Sequence, residues 1–213
     1  MGELVARAFR EGGPVMYVIG MFGLLTVILV LERFTKLRSL SIDRKEFMDQ
    51  IFRFVMAGDL RSAISYCDSR PAPLTNTVKA GLVQAMNKRP DEEVQVAMDA
   101  AVLREMPKVE GWTSFLAVFG NIAVLAGLLG TIIGMIGSFR AVADADPASK
   151  AEKLSEGISH ALNCTAFGLS VAILAIVAYA FFQHLIQKTE NEVMESSMSL
   201  LNLVVSNRDK LRE

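Results

Sequence analysis

Polar side chains cluster around residue 160, at the start of a long apolar stretch, where proton transfer could take place. Glu156, Ser159, His160 and Asn163 occupy positions i, i+3, i+4 and i+7, so a helix places them on one side. Ionisable groups in or near a membrane are costly unless they face water or a partner, which makes this side a candidate functional site. Histidine suits proton handling because it titrates near neutral pH when unperturbed. The alternative is a histidine at the outer interface that is hydrogen-bonded to Glu156.

Hydroxyl side chains in two apolar stretches form a second set of candidates. Thr131 and Ser138 are seven residues apart and share a neighbouring face of one helix. Thr165 points away from Asn163, so one chain presents polar groups in two directions, as expected if several copies pack around a shared axis. A hydroxyl in a membrane helix can also bond back to its own helix, and that alternative stays open.

Enzymatic chemistry finds no support in the sequence. No nucleophile has a suitably spaced base, and there is no phosphate-binding loop and no metal-ligand constellation. Two cysteines and two histidines leave little material for a disulfide framework or a zinc site. We therefore expect neither catalytic residues nor a cofactor.

Small residues in the same apolar stretches predict close helix packing. Gly127, Gly130, Gly134 and Gly137 fall in one narrow stripe at 100° per residue. Small residues let helix backbones approach in lipid, where van der Waals packing replaces the hydrophobic effect. We interpret this stripe as a packing seam and assign Gly168 to the same role.

The overall composition explains why these residues lie in membrane helices. The chain has 213 residues, 52% of them hydrophobic and 21% charged, and its net charge of −1 argues against a nucleic-acid binder. Residues 14–31, 111–139 and 157–187 contain no Asp, Glu, Lys or Arg. About 20 apolar residues in a helix span a bilayer. We therefore predict an all-α protein with three transmembrane helices rather than an apolar soluble bundle.

The distribution of Lys and Arg predicts the topology. Five basic residues directly follow the first span, and four more follow the third, which places both regions in the cytoplasm. Two of the spans are expected to extend into a cytoplasmic helical bundle, with the N-terminus outside and the C-terminus inside. The predicted segments are an outer amphipathic or frayed segment at 1–13, spans at 14–33, 111–140 and 157–187, a cytoplasmic helical region at 34–110, an outer loop at 141–156 and a cytoplasmic tail at 188–213.

The cytoplasmic region carries clear helix boundaries. Asp43 and Asp59 are suited to cap the starts of two helices, and Gly58 is suited to end the first. A third helix is expected to close before Pro90, and the acidic run at 91–93 begins a fourth. This fourth helix is expected to continue into the second span.

Together, these motifs resemble the MotA/TolQ/ExbB proton channel family over roughly residues 10 to 205. The second span resembles that of the family in Ser114-Phe115-Leu116-Ala117 and Gly127-Leu128-Leu129-Gly130-Thr131. The third does so in Ala161-Leu162, Thr165-Ala166 and Gly168-Leu169, and a cytoplasmic stretch does so in Lys79-Ala80-Gly81-Leu82. Length and number of spans fit the ExbB and TolQ branches.

The resemblance implies a mechanism and partners. Several copies, commonly five, would form a ring in the bacterial inner membrane around a single-span ExbD- or TolR-like partner whose membrane Asp carries protons. A TonB- or TolA-like protein that spans the periplasm is a further expected partner. Thr131 and Thr165 would line the pore, and His160, Glu156, Asn163 and Ser138 complete the expected proton pathway. Proton-motive force would then drive nutrient import or another envelope process.

Three positions depart from the family pattern. His160 stands where ExbB and TolQ usually have Glu, and Leu174 and Val124 stand where they usually have Pro. Loss of both prolines predicts straighter helices. The departures keep a second reading open, a non-conducting scaffold of the same architecture, and the sequence also leaves open a stator of a gliding or secretion motor. It does not decide between protons and sodium ions.

Overall fold

The described part of the chain, residues 13–40 and 42–207 of a computed structural model, is built of helices, with no β-strand among these residues. The helices are α1 (Gly13–Leu40), α2 (Arg44–Met56), α3 (Leu60–Ser69), α4 (Pro73–Met86), α5 (Asp91–Glu110), α6 (Thr113–Ala143) and α7 (Lys150–Ser206). Almost all of the predicted N-terminal amphipathic segment and the last six residues lie outside the described range, so both remain sequence expectations.

Three stretches of the described residues are long and apolar enough to cross a membrane. They lie within Gly13–Met56, Asp91–Ala143 and Lys150–Ser206, and their most apolar windows have mean hydropathies of 2.4, 2.2 and 2.2. Only 17%, 28% and 28% of the residues in these windows are buried within the chain. Lipid or other chains must therefore cover the rest. The prediction of an all-helical protein with three membrane-length helices is confirmed.

Two compact units divide the chain. The first combines the described residues up to Arg33 with Trp112–Phe182, and the second combines Phe34–Gly111 with the described residues from Gln183 onward. The first unit contains the apolar parts of α1, α6 and α7. The candidate proton-pathway residues all belong to this unit.

The second unit consists of helices, and the sequence correctly predicted where two of them start. The Asp43 carboxylate accepts hydrogen bonds from the backbone N–H groups of Lys45 and Glu46, and Asp59 accepts one from Ser62. Helix α4 packs against α3 and α5, and α2 packs against α3. The largest buried side chains of this unit include Phe47, Ile51, Leu82, Met98 and Leu200.

A two-pronged ion pair also joins the first turn of α2 to α7 within this unit. Arg44 Nη2 lies 2.6 Å from Glu195 Oε1, Arg44 Nη1 lies 2.6 Å from Oε2, and Arg44 Nε donates to Ser196 Oγ at 3.0 Å. The hydrogen bond to Arg44 lowers the pKa of Glu195, and the reciprocal bond raises the pKa of Arg44.

Two helix boundaries differ from the sequence prediction. Helix α5 does not continue into α6, because Gly111 adopts φ +45° and ψ −130°, outside the helical region, while its N–H bonds to Pro107 O at 3.0 Å. Helix α7 begins at Lys150, seven residues before the predicted third span. Its first turn forms in polar sequence because the Ser149 N–H bonds to Asp146 O at 2.9 Å and the Lys153 N–H to Ser149 O at 3.1 Å.

Candidate functional site

The predicted glycine seam brings α6 into close contact with α7. A Cβ built on Gly127 would lie 3.1 Å from Cys164 O, and one on Gly130 would lie 2.8 Å from Cys164 Cβ. A Cβ on Gly134 would lie 3.0 Å from Ala161 Cβ. Larger side chains at these positions would push the helices apart, so the glycines set the distance between the two backbones.

Two further glycines assigned to packing behave differently from each other. A Cβ built on Gly168 would lie only 2.5 Å from the Ala123 carbonyl oxygen and 3.1 Å from Gly127 Cα, so Gly168 belongs to the α6–α7 contact. A Cβ on Gly137 would meet no atom within 4 Å in the described part of the chain. No described residue packs against Gly137, so its assignment to the packing seam stays a prediction.

This close approach joins the hydroxyl groups of Thr131 and Thr165 directly, and we call these two residues the hydroxyl pair. Thr131 Oγ1 lies 3.2 Å from Gly127 O on its own helix and 3.1 Å from Ala161 O on α7. Thr165 Oγ1 lies 3.1 Å from the same Gly127 oxygen and is hydrogen-bonded to Thr131 Oγ1. Both side chains are half-buried, so the pair is partly open on one side.

Ser138, by contrast, turns its hydroxyl into the protein. It is 4% exposed and donates to Gly134 O at 2.7 Å, one turn earlier on α6. A Cβ built on Gly157 would collide with Ser138 Oγ, which shows how closely the two residues pack. The structure thus gives Ser138 the back-bonded arrangement that the sequence left open, and its predicted part in the proton pathway stays a prediction.

The polar residues at the start of the third span differ in their solvent exposure. Glu156 is exposed, whereas His160 and Asn163 are half-buried. The His160 ring lies against the first residue of α1, since its Cε1 is 3.7 Å from a Cβ built on Gly13. Between Glu156 and His160 the structure contains no hydrogen bond within the described residues.

Apart from Gly168, the small residues of α7 that face the glycine seam were missed by the sequence analysis. Gly157, Ala161, Cys164 and Gly168 contact α6, and Ala172 and Ala175 lie against Gly120 farther along. Their spacing of three and four residues repeats the pattern already recognised on α6. The signal was therefore present, but alanine and cysteine hide it among other apolar residues.

Among residues 13–40 and 42–207, no three His, Cys, Asp or Glu side chains are grouped as metal ligands would be. The hydroxyl pair instead offers oxygen atoms at the edge of a closely packed helix contact, where they can form hydrogen bonds to a polar group that approaches from outside the chain.

The outer faces of the three membrane-length helices are strongly apolar. Large hydrophobic side chains that are at least half exposed occur on all three, among them Leu24, Leu31, Leu125, Ile133, Ile173 and Val177. Apolar surface of this extent fits contact with lipid or with other membrane helices.

Comparisons with known proteins agree with this architecture. The model of the MotA/TolQ/ExbB proton channel family matches residues 69–195. A putative biopolymer transport protein ExbB homolog of Methanothermobacter thermautotrophicus is 30% identical over 83% of this chain, and the chain spans only 62% of that relative's length.

Two further relatives are covered more completely. The Tol-Pal system protein TolQ of Pseudomonas aeruginosa is 31% identical over 85% of this chain and 82% of its own length. A putative biopolymer transport protein ExbB-like 3 of Synechocystis sp. is 24% identical over 82% of both chains. The match of the family model and the three membrane-length apolar helices show that the chain is an inner-membrane protein of the MotA/TolQ/ExbB proton channel family.

Proposed function

We propose that this protein is the channel subunit of a proton-driven energy-transducing complex. Several copies, five by analogy with the family, form a ring around a single-span ExbD- or TolR-like partner that carries one membrane Asp. The hydroxyl pair faces that partner and forms hydrogen bonds to its carboxyl group during proton passage. The ring converts proton-motive force into work on an envelope process, of which nutrient import through a TonB-like protein is our first choice.

The hydroxyl pair is the observation that carries this proposal. Two polar side chains from different helices meet within an apolar, membrane-length unit, and they are held at a fixed height by the glycine seam. Polar groups are expensive in lipid and are retained there mainly for packing or function. Half-burial leaves the pair accessible to a group supplied by another chain.

The proposed topology follows from charge. Arg33, Lys36, Arg38, Arg44 and Lys45 lie on the cytoplasmic side, so that the second unit with residues 34–110 and the end of α7 is cytoplasmic. The connection between α6 and α7, residues 144–149, then lies in the periplasm. In this orientation Glu156, His160 and Asn163 lie on the periplasmic side of the hydroxyl pair and form the outer part of the proposed proton pathway.

Ion flux in reconstituted vesicles tests the proposal. The full chain is incorporated together with an ExbD- or TolR-like single-span protein that carries one membrane Asp, and proton uptake is measured under an imposed membrane potential. Thr131→Val and Thr165→Val keep the side-chain shape and remove the hydroxyl, so each should lower proton flux about tenfold or more. Thr131→Ser and Thr165→Ser should retain most of the flux.

Thr26→Val is the matched control for these variants. Thr26 is fully buried in α1 and donates to Phe22 O at 2.8 Å, so the same chemical change is made away from the pair. Normal flux in both pair variants would contradict the proposal.

A non-conducting scaffold is the alternative function. His160 supports it, because the half-buried imidazole replaces the carboxylate that the family usually has at this position. If the wild-type complex with its partner conducts no protons but still assembles, the scaffold reading is correct.

A further inference from the structure

The hydroxyl pair has a limited supply of hydrogens, and this limits what it can bind. Each threonine hydroxyl has a single hydrogen to donate, whereas its oxygen can accept from two lone-pair directions. The two oxygens lie within hydrogen-bond distance of each other and of the carbonyl oxygens of Gly127 and Ala161. Carbonyl oxygens only accept, so every hydrogen in this network must come from the pair itself.

Only two arrangements satisfy the contact between the hydroxyls. If Thr165 donates to Thr131, then Thr131 donates to the carbonyl of Ala161 or Gly127. If Thr131 donates to Thr165, then Thr165 donates to Gly127 O. In both arrangements the two hydrogens are used inside the protein, and the lone pairs that remain are the only hydrogen-bonding capacity left for an incoming group.

The two protonation states of a carboxyl group can form different hydrogen bonds at such a site. The neutral acid has an O–H that can donate, whereas the carboxylate can only accept. We infer that the hydroxyl pair binds the partner's carboxyl group as the protonated, neutral acid and disfavours the carboxylate. The inference rests on the proposed function and specifies which state of the partner the ring holds.

The charges near the hydroxyl pair also favour the neutral acid over the carboxylate. Residues 14–31, 111–139 and 157–187 contain no Lys or Arg that could compensate a carboxylate in the membrane. The titratable side chains of these stretches are Tyr17 on α1 and, on α7, His160, Cys164, Tyr179 and His184; α6 has none from Thr113 to Phe139. Of these, Cys164 is adjacent to Thr165 and His160 lies just over one turn away. Neither is a permanent cation.

A designed single-span peptide with one Asp tests the inference without knowledge of the natural partner. The peptide, a Leu/Ala helix with a 13C-labelled central Asp carboxyl, is reconstituted with the full chain in phosphatidylcholine vesicles in sodium-free buffer. Infrared spectroscopy of the labelled carboxyl across pH measures its apparent pKa. With the wild-type protein this pKa should be higher by about one unit or more, a tenfold change in proton affinity, than with a Thr131→Val/Thr165→Val variant.

A second peptide, with Asn in place of Asp, makes the test independent of the variant's folding. Its amide is neutral at every pH and has N–H donors, so it should bind the wild-type protein equally at low and high pH. The Asp peptide should bind comparably only at low pH. Thr26→Val, which changes a hydroxyl distant in sequence from the pair, should leave the Asp pKa at its wild-type value.

Different results would contradict the inference and the proposed function. If the Asp peptide binds and its pKa is unchanged or lowered by the hydroxyls, the pair stabilises the carboxylate and the inference is wrong while the proposed function stands. If neither peptide associates with the protein at any pH, the proposed function is wrong as well.

Discussion

Gly168 on α7 lies directly against the carbonyl oxygen of Ala123 on α6, which a Cβ at position 168 would approach to 2.5 Å. Backbone atoms on both sides of this contact leave no flexible side chain that could move away. The contact lies one turn from Thr165, so the separation of the helices here also sets the geometry of the hydroxyl pair.

We expect Gly168→Ala to destabilise the protein by about 1–3 kcal/mol, as overpacking typically does. Gly137→Ala is the matched control, because the added methyl group meets no atom of the described residues within 4 Å and alanine favours a helix over glycine by about 1 kcal/mol. Thermal unfolding in detergent measures both variants. Equal stability of the two would show that the α6–α7 contact is not as close as described.

His160 is expected to contribute to proton flux. Its half-buried ring lies against Gly13, whereas Glu156 is exposed to solvent and is not bonded to it. His160→Ala should lower flux several-fold, whereas Glu156→Gln should have a smaller effect. Proton flux into vesicles that contain each variant gives the comparison. A larger loss in Glu156→Gln would assign the outer pathway to the carboxylate instead.

The ion pair between Arg44 and Glu195 should make the second unit less stable in acid. Arg44 lowers the pKa of Glu195 in the folded state, so the pair stabilises the fold above the unfolded value of about 4.3. This stabilisation is lost as the pH falls through the lower, folded pKa. As the pH is lowered below about 4, the midpoint temperature of thermal unfolding should therefore fall more steeply in the wild type than in Glu195→Gln.

The matched control for this pair is Glu190→Gln, which removes the same charge from the same helix at a residue not bonded to Arg44. This variant should keep the steep acid dependence of the wild type. If Glu195→Gln keeps it too, the ion pair contributes nothing to stability in solution.

Cys67 is expected to resist modification until the second unit unfolds. The thiol is 2% exposed, and burial raises its pKa to about 12, so the reactive thiolate is scarce at neutral pH. An unfolded cysteine ionises near 8.5, so the neutral buried thiol favours the folded state below that pH and loses this effect as the pH rises toward 12. Mass spectrometry after iodoacetamide treatment, with and without denaturant, measures the protection.

Thr26→Val preserves both cysteines and the second unit, and it serves as the control for labelling. Rapid alkylation of Cys67 in the folded protein at pH 7 would contradict the buried position described for it.

Local signals in the sequence predicted the helices of the second unit well. Asp43 and Asp59 cap helices because a short carboxylate can reach the free N–H groups of a first turn, and this depends only on neighbouring residues. The predicted third span begins at residue 157 because apolar content marks where lipid begins. Helical hydrogen bonds extend beyond that point into polar sequence.

The residues of the candidate site could be predicted from the sequence, but the contacts between them could not. The glycine stripe on α6 and the two threonines could be read from spacing, yet their contact depends on which face of α7 meets α6. The sequence distributes polar residues around α7 and leaves that choice open. The structure shows which face it is: Gly157, Ala161, Cys164 and Gly168 lie on the side of α7 that contacts α6. Gly137 of α6 lies outside this contact among the described residues.

The uninterrupted helix α7 limits where insertions and deletions can occur in this chain. Its part in the first unit, residues 150–182, is one continuous stretch of helix about 50 Å long at 1.5 Å per residue. One inserted or deleted residue would rotate every later side chain by about 100° relative to the earlier ones, and so scramble the register of small and polar positions. Indels in related genes should therefore fall in the short connections or at the termini, and a seven-residue step, close to two full turns, is the least disruptive exception.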